Sequence, residues 1–497
     1  MPACQPIRPP ATRPARQPAR QPVRPRATLA ALAPAYGLAV LRALEAAGHE
    51  AWFVGGWVRD ALRGVPAHDV DVCTSACWQD SERALVAAGM VVHETGTEHG
   101  TVTAVSGGRP VEVTTYRVDG AYSDRRHPDS VTFVGDVRAD LARRDFTVNA
   151  MAWHPDRGLL DPFGGRADLS RGLIRAVGEP TLRFEEDALR VLRAVRFACR
   201  LGFAIEPATQ VALVASASEL ASVARERVGA ELRGIVGSGR GGWALLHERD
   251  VMVAAIPELA SLAGLDQRSV WHSYDVLEHT ARVMAGVECF TGGVASERLR
   301  WAALLHDIGK PACLTVDGRG QGHFYGHPDV GADIAEKILR DLAIPGELAR
   351  QVVALVRYHD RPMSADAGSE LALIAKLDRA SGLKTREEVV ALMHEMLDLR
   401  RADAVAKAPR CRGYAVELGS HERVLRGIAA SRACWRVADL AVGGVDVMEA
   451  LGIAAGPAVG RALRGALSAV MAGKVANERD ELVAWLRAGG ETGAPRR

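Results

Sequence analysis

AWFVGGWVRDALRGVPAHDVDVC, residues 51–73, is the stretch from which the rest of the chain is read. Ala51 to Val54 make an apolar run of strand length, and Gly55-Gly56 make a turn whose backbone N–H groups can face an anion. Trp57 to Arg63 then read as a helix ended by Gly64. After Pro66, polar and apolar residues alternate through His68-Asp69-Val70-Asp71-Val72, so on a strand Asp69 and Asp71 project from one face and Val70 and Val72 from the other.

Two hard carboxylates beside an N–H-rich turn suit Mg²⁺ bridged to substrate phosphates, the arrangement for in-line nucleotidyl transfer. Taken singly, the aspartates fit a solvated strand edge equally well and the glycines an ordinary turn; their order in the chain favours the metal. GG-x-VRD followed by D-x-D resembles the first motif of the nucleotidyltransferase superfamily, in the branch of tRNA CCA-adding enzymes and bacterial poly(A) polymerases. The resemblance implies that Asp69 and Asp71 are catalytic and hold Mg²⁺, and that Gly56 and Arg59 bind nucleotide.

Composition is compatible with this and removes other chemistries. With 497 residues, 48% of them hydrophobic and 25% charged, the chain is long enough for three or four domains. No run of about 18 apolar residues and no apolar N-terminal segment stands in it, so no membrane span is expected and the cytoplasm is the expected compartment. The eight cysteines include no CxxC pair, which argues against a zinc ribbon or a disulfide framework and leads us to expect reduced thiols. Formal charge is +2, but the first 26 residues carry six arginines and no acid, which leaves about −4 on the remainder. Any RNA-binding surface must therefore be a local patch. No lysine precedes Lys310, which excludes a Walker-type or nucleotidylated lysine from the N-terminal half and leaves phosphate contacts there to arginine.

In chain order, residues 1–27 read as a disordered Pro/Arg-rich tail, and Leu29 to Ala47 as one amphipathic helix. A helix over residues 78–88 precedes three β-rich runs, VVHET, TVTAV and VEVTTYR, which predict a small mixed sheet. Glu112 in the last run is the one acid able to join Asp69 and Asp71 if the strands are neighbours; pairing with an arginine is the alternative. Residues 119–130 read as a polar loop, which in the resembled family helps the switch from adding C to adding A. LARRDFTVNA (141–150) matches the family's second motif, RRDFT-x-NA. This implies that Arg144 binds the triphosphate and that Asp145 holds it. Residues 161–169 resemble the hinge that follows the catalytic head.

Along FEEDALRVLRAVRFACRLGF, read as one helix, Asp187, Arg190, Arg193 and Arg196 recur every three residues and so form a stripe. Such a stripe is either a solvated face or a binding face. E-D-x-x-R resembles the protein template of CCA-adding enzymes, which implies that Asp187 and Arg190 read the base and that Arg193 and Arg196 join the nucleotide site. The hydrogen-bond inventories agree. A carboxylate accepts and a guanidinium donates, matching the amino donor beside a ring-nitrogen acceptor that cytosine and adenine offer, where uracil and guanine present a carbonyl acceptor in place of the amino group. SVARERVGAEL (222–232) resembles the next motif and is expected to brace this helix, with Glu226 and Arg227 at matching positions.

A second constellation supplies, in order, His279, His306-Asp307, His327, His359 and Asp403. It resembles an HD metal-dependent phosphohydrolase domain, and imidazole plus carboxylate ligands suit a divalent transition metal. The expected architecture is α+β. A polymerase-β-like head (28–165) precedes a helical neck (166–264), an HD domain (265–410) and a helical tail (411–497) that contacts tRNA. The expected reaction is template-independent addition of CCA to the tRNA 3′ end from CTP and ATP by two-metal transfer. Partial addition, poly(A) synthesis, and an HD hydrolase with a degenerate head are the alternatives.

Overall fold

The computed structural model describes residues 26–66, 69–120, 130–431 and 433–489. The expected tail and the 119–130 loop lie largely outside them. The chain divides into two compact units, one reaching Ser238 and including Glu248–Pro257, the other formed by Gly239–His247 and the chain from Glu258 onward.

The first unit begins with α1 (Arg26–Leu32) and α2 (Ala35–Ala46), where one helix is expected. Pro34 interrupts it. Proline lacks the N–H that an internal turn needs and forces its predecessor out of the helical region, so it caps α2 instead. Then follow β1 (Ala51–Val54), α3 (Gly56–Arg63), β2 (Asp71–Thr74), α4 (Trp78–Ala87), β3 (Val91–Gly96), β4 (Thr101–Ser106) and β5 (Arg109–Thr115). A short hairpin of β6 (Arg117–Asp119) and β7 (Val131–Phe133) leads to α5 (Val137–Ala142), β8 (Ala152–His154) and β9 (Gly158–Leu160).

Seven strands form one mixed sheet in the order β3-β4-β5-β2-β1-β8-β9. All pairs are antiparallel except β2 with β5, whose register sets Asp71 opposite Glu112. Strand β1 is an interior strand and wholly buried. Its Phe53 packs at 4.8 Å from Trp57 of α3 and 5.7 Å from Trp153 of β8, which ties the Gly55-Gly56 turn to the core.

Helices α6 (Gly165–Arg171), α7 (Pro180–Glu186), α8 (Leu189–Leu201), α9 (Pro207–Ala215) and α10 (Arg225–Gly237) follow in this unit, which also holds the helix Arg249–Ala255. The predicted single base-reading helix is in fact two. Asp187 sits in the break with extended backbone, φ −143° and ψ 103°, and its carboxylate accepts the Leu189 N–H at 3.0 Å. An aspartate whose carboxylate accepts the backbone N–H two residues on is more stable in such a break than in a helix interior.

The second unit is almost entirely helical, its longest helix being Arg386–Ala406. Among the described residues Cys73, Cys77, Cys199, Cys313, Cys411 and Cys434 are free thiols. No helix among the described residues is long and apolar enough to cross a membrane.

Candidate active site

Strand, turn and helix arrange the 51–73 stretch around a cavity of about 980 Å³ in the first unit. Gly55 adopts φ +67° and ψ −129°, a backbone state open essentially to glycine. A Cβ there would meet Arg144 Nη1 at 3.2 Å and Asp71 Oδ2 at 3.6 Å, so the missing side chain is what lets these groups crowd the turn.

The cavity gathers every residue expected of the nucleotide site: Gly56, Arg59, Asp69, Asp71, Glu112, Arg144, Asp187, Arg190, Arg193 and Arg196. Asp71 opens β2 and is partly buried, while Asp69 lies exposed just before the strand. Burial pushes the Asp71 carboxyl up to about 6, Glu112 and Asp69 add to the shift, and Arg144 opposes it. Neither aspartate is in an ion pair among the described residues. Crowded hard oxygen donors, one of them a carboxyl whose ionisation burial resists, fit a divalent metal.

The arginines are held in place by buried and half-buried acids. Arg59, 4% exposed, donates to Asn149 Oδ1 at 2.7 Å and to both carboxylate oxygens of Asp60 at 2.8 and 2.9 Å. Arg144 is not held by Asp145, as expected, but by Asp140, one helical turn earlier, at 3.1 Å. Although burial opposes it, Arg144 and Arg143 hold Asp140 below the usual carboxylate range. Asp145 turns instead to α8, accepting from Arg193 at 2.6 and 2.9 Å and from Asn149 at 3.2 Å.

The α8 stripe is therefore no solvated face. Asp187 accepts from Arg227 of α10 at 3.1 Å, Arg190 pairs with Glu186 and donates to the Arg143 carbonyl at 3.3 Å, and Arg196 pairs with Glu231. Arg227 thus braces Asp187 as expected, whereas Glu226 is exposed and does not line the cavity. Asn149 and Glu231 have no site role in the sequence, and Phe197 reads there only as part of the apolar side of its helix. Asn149 lies inside the quoted second motif and Glu231 inside the 222–232 motif, but the pairing of Glu231 with Arg196, 35 residues away, is not visible in either.

In the second unit, the six HD residues converge from five separate places in the chain, His306 and Asp307 being adjacent. His279 comes from Val276–Phe290, His306 caps Glu297–Leu305, His327 opens His327–Asp341, His359 caps Gly346–Tyr358, and Asp403 lies on Arg386–Ala406. Around Asp307 stand the Nε2 atoms of His306, His279, His327 and His359 at 3.2, 3.4, 3.4 and 3.9 Å. Asp403 lies 3.1 Å from His279. Gly309 permits this closeness, since a Cβ would fall 2.3 Å from the His327 carbonyl oxygen.

His306, His327 and His359 each donate Nδ1–H to a backbone carbonyl, at 2.9, 2.9 and 2.7 Å. That turns their Nε2 lone pairs toward the centre, the tautomer a metal ligand requires. Buried His279 Nε2, His306 Nε2 and Asp307 Oδ2 have close neighbours but no hydrogen bond of proper geometry. Imidazoles and carboxylates with such orphaned atoms fit a divalent metal. Lys310 at 2.7 Å from Asp307 and Lys407 at 2.6 Å from Asp403 balance the buried acids.

Comparison with known proteins agrees with this geometry. Residues 51–175 match the poly A polymerase head domain, 202–262 the probable RNA and SrmB-binding site of polymerase A, and 272–408 the HD domain. The chain is 35% identical over 451 residues to the CCA-adding enzyme of Geobacillus stearothermophilus, covering 90% of this chain and 95% of that one. The CCA-adding enzyme of Lacticaseibacillus paracasei is 50% identical over 192 residues, 39% of this chain and 47% of that protein. Among solved structures, the Bacillus stearothermophilus CCA-adding enzyme in complex with CTP superposes with a TM-score of 0.69 at 32% identity, over 92% of this chain and 97% of the other. The Thermotoga maritima enzyme complexed with tRNA, at 19% identity and a TM-score of 0.55 over 94% and 99%, shares the fold. On these grounds the chain belongs to the CCA-adding enzymes, a family of tRNA nucleotidyltransferases.

Proposed function

We propose that this chain completes tRNA 3′ ends in the cytoplasm by adding C, C and A from CTP and ATP. The observation that carries the reading is a single cavity in which Asp69, Asp71 and the Gly55-Gly56 turn meet Asp187 and Arg190. Asp69 and Asp71, with Glu112 beside them, would hold Mg²⁺, which when bound supplies Lewis-acid stabilisation of the attacking and leaving oxygens. The start of α3 at Gly56, with Arg59 and Arg144, binds the triphosphate by N–H donors and fixed positive charge. Asp187 accepts from the base amino group and Arg190 donates to its ring nitrogen, so uracil and guanine leave acceptors facing acceptors and are refused. Arg193 and Arg196 keep that side of the cavity cationic. In this reading residues 28–165 are the catalytic head, 166–264 the neck and 411–497 a tRNA-binding tail.

Incubating the purified chain with tRNA lacking its terminal CCA and each labelled nucleotide tests this directly. Two C followed by one A is expected. Addition of A alone, of CC alone or of a long A tract would replace the reading with a partial adder or a poly(A) polymerase.

A second activity is supported by the buried imidazole and carboxylate cluster of residues 265–410. His279, His306, Asp307, His327, His359 and Asp403 would hold a divalent transition metal there, a Lewis acid suited to phosphoester hydrolysis. Metal-dependent release of phosphate from phosphoester substrates is its test.

A further inference from the structure

Phe197 lines the nucleotide cavity, has no polar atom to offer a ligand, and yet collects three of its cations. The guanidinium carbon of Arg196 lies 4.4 Å from the ring centroid, and those of Arg59 and Arg193 lie 5.5 Å from it. The ring is 6% exposed and is backed edge-on by Phe146 at 5.7 Å.

Three guanidinium groups gathered on one ring repel one another. Acids offset this, but each acid also occupies N–H donors that a triphosphate or a base would need, as Asp60 does on Arg59 and Asp145 on Arg193. An aromatic ring attracts a cation through its face and consumes no N–H donor. Arg59 belongs to α3 at the glycine turn, whereas Arg193 and Arg196 belong to α8, so the ring is where the two helices share their charge. A hydrogen-bonded path runs parallel to it, from Arg59 through Asn149 and Asp145 to Arg193.

We propose that Phe197 is a positioning residue of the nucleotide site, whose ring holds Arg59 against Arg193 and Arg196 so that the triphosphate-binding and base-reading halves of the cavity act as one. This rests on the reading of the cavity as the nucleotide site. Without the ring, the three cations spread, and ordering them again is charged to nucleotide binding. The attack of the tRNA hydroxyl, governed by Asp69 and Asp71, is not touched.

The test compares Phe197→Leu, which keeps an apolar side chain but no ring, with Phe197→Tyr, which keeps the ring. Steady-state KM and kcat for CTP and ATP are measured beside calorimetric CTP affinity and thermal midpoints. Loss of two or three cation–ring contacts predicts a rise of about tenfold in KM and in CTP Kd for Phe197→Leu, with kcat changed less than about twofold. Phe197→Tyr is expected to lie near the parent. A folded Phe197→Leu with the parent's KM overturns the proposal, and so does a folded Phe197→Tyr as impaired as the leucine variant. Should Phe197→Leu fail to fold, Phe197→Met takes its place under the same criteria. If the parent chain itself binds no CTP, the cavity reading fails and this proposal with it; if the parent binds CTP and the leucine variant binds it equally well, only the role of Phe197 fails.

Discussion

Asp71 stands directly opposite Glu112 across the parallel pair of β2 and β5, so two carboxylates from strands 41 residues apart share one edge of the cavity. With burial, this like-charge neighbour holds Asp71 up to about 6.

A raised carboxyl pKa means that the folded chain binds the proton more tightly than the unfolded chain. The metal-free protein therefore loses stability as pH rises from about 4 through 6, and the cost is fully present above that. Asp71→Asn should unfold at a higher temperature than the parent at pH 8 in EDTA, and at a similar temperature at pH 4. A shift of about two units sets an upper bound of about 3 kcal/mol. In the parent, apparent Mg²⁺ affinity should fall about tenfold per pH unit below pH 6, as read from the metal dependence of nucleotide incorporation.

Replacing either metal-facing acid should abolish the reaction. For Asp69→Ala and Asp71→Ala, incorporation of labelled CTP is expected below about 1% of the parent, with circular dichroism and tRNA binding retained. Activity above a few per cent in either variant would count against the metal assignment.

Gly55→Ala tests the turn. Alanine at φ +67° costs about 1–3 kcal/mol of strain, and its Cβ would press on the Arg144 guanidinium 3.2 Å away. A kcat/KM at least about tenfold lower is expected, with the loss chiefly in nucleotide KM.

Selectivity and triphosphate affinity should separate. Asp187→Ala is expected to lose discrimination of CTP from UTP more than affinity, and Arg144→Ala the reverse. Because Arg227 donates to Asp187 at 3.1 Å, Arg227→Ala should reproduce part of the selectivity loss although it lies on α10. Competition between labelled CTP and UTP decides the matter. Equal weakening of all four nucleotides by Asp187→Ala would refute base reading there.

The HD residues belong to the other compact unit and should be separable from nucleotide addition. His306→Ala with Asp307→Asn is expected to eliminate metal-dependent phosphoester hydrolysis and leave CCA addition within about twofold. Lys310 loses a counter-charge 2.7 Å away, so a lower thermal midpoint should accompany it. Collapse of CCA addition in a still-folded variant would join the two sites functionally.

The amino-acid sequence by itself determined the chemistry-bearing stretches: the glycine turn before D-x-D, the R-R-D-F-T run, the E-D-x-x-R run, and the ordered His, His-Asp, His, His and Asp. Each is a local pattern whose meaning depends on strand alternation, helical spacing or the donor and acceptor character of side chains. Only the tertiary structure decided which charges meet. Local spacing put Asp187 inside a helix with its arginines, but its extended backbone ends α7 at Glu186, and its carboxylate accepts the Leu189 N–H where α8 begins. The family resemblance paired Asp145 with adjacent Arg144, whereas folding brings Asp145 to Arg193, 48 residues on, and leaves Arg144 to Asp140. The register of Glu112 with Asp71, and the convergence of Arg59 with Arg193 and Arg196 on Phe197, are likewise contacts between segments far apart in sequence. Such contacts arise from packing and charge compensation in a buried cavity, forces that act through space and leave no period along the chain.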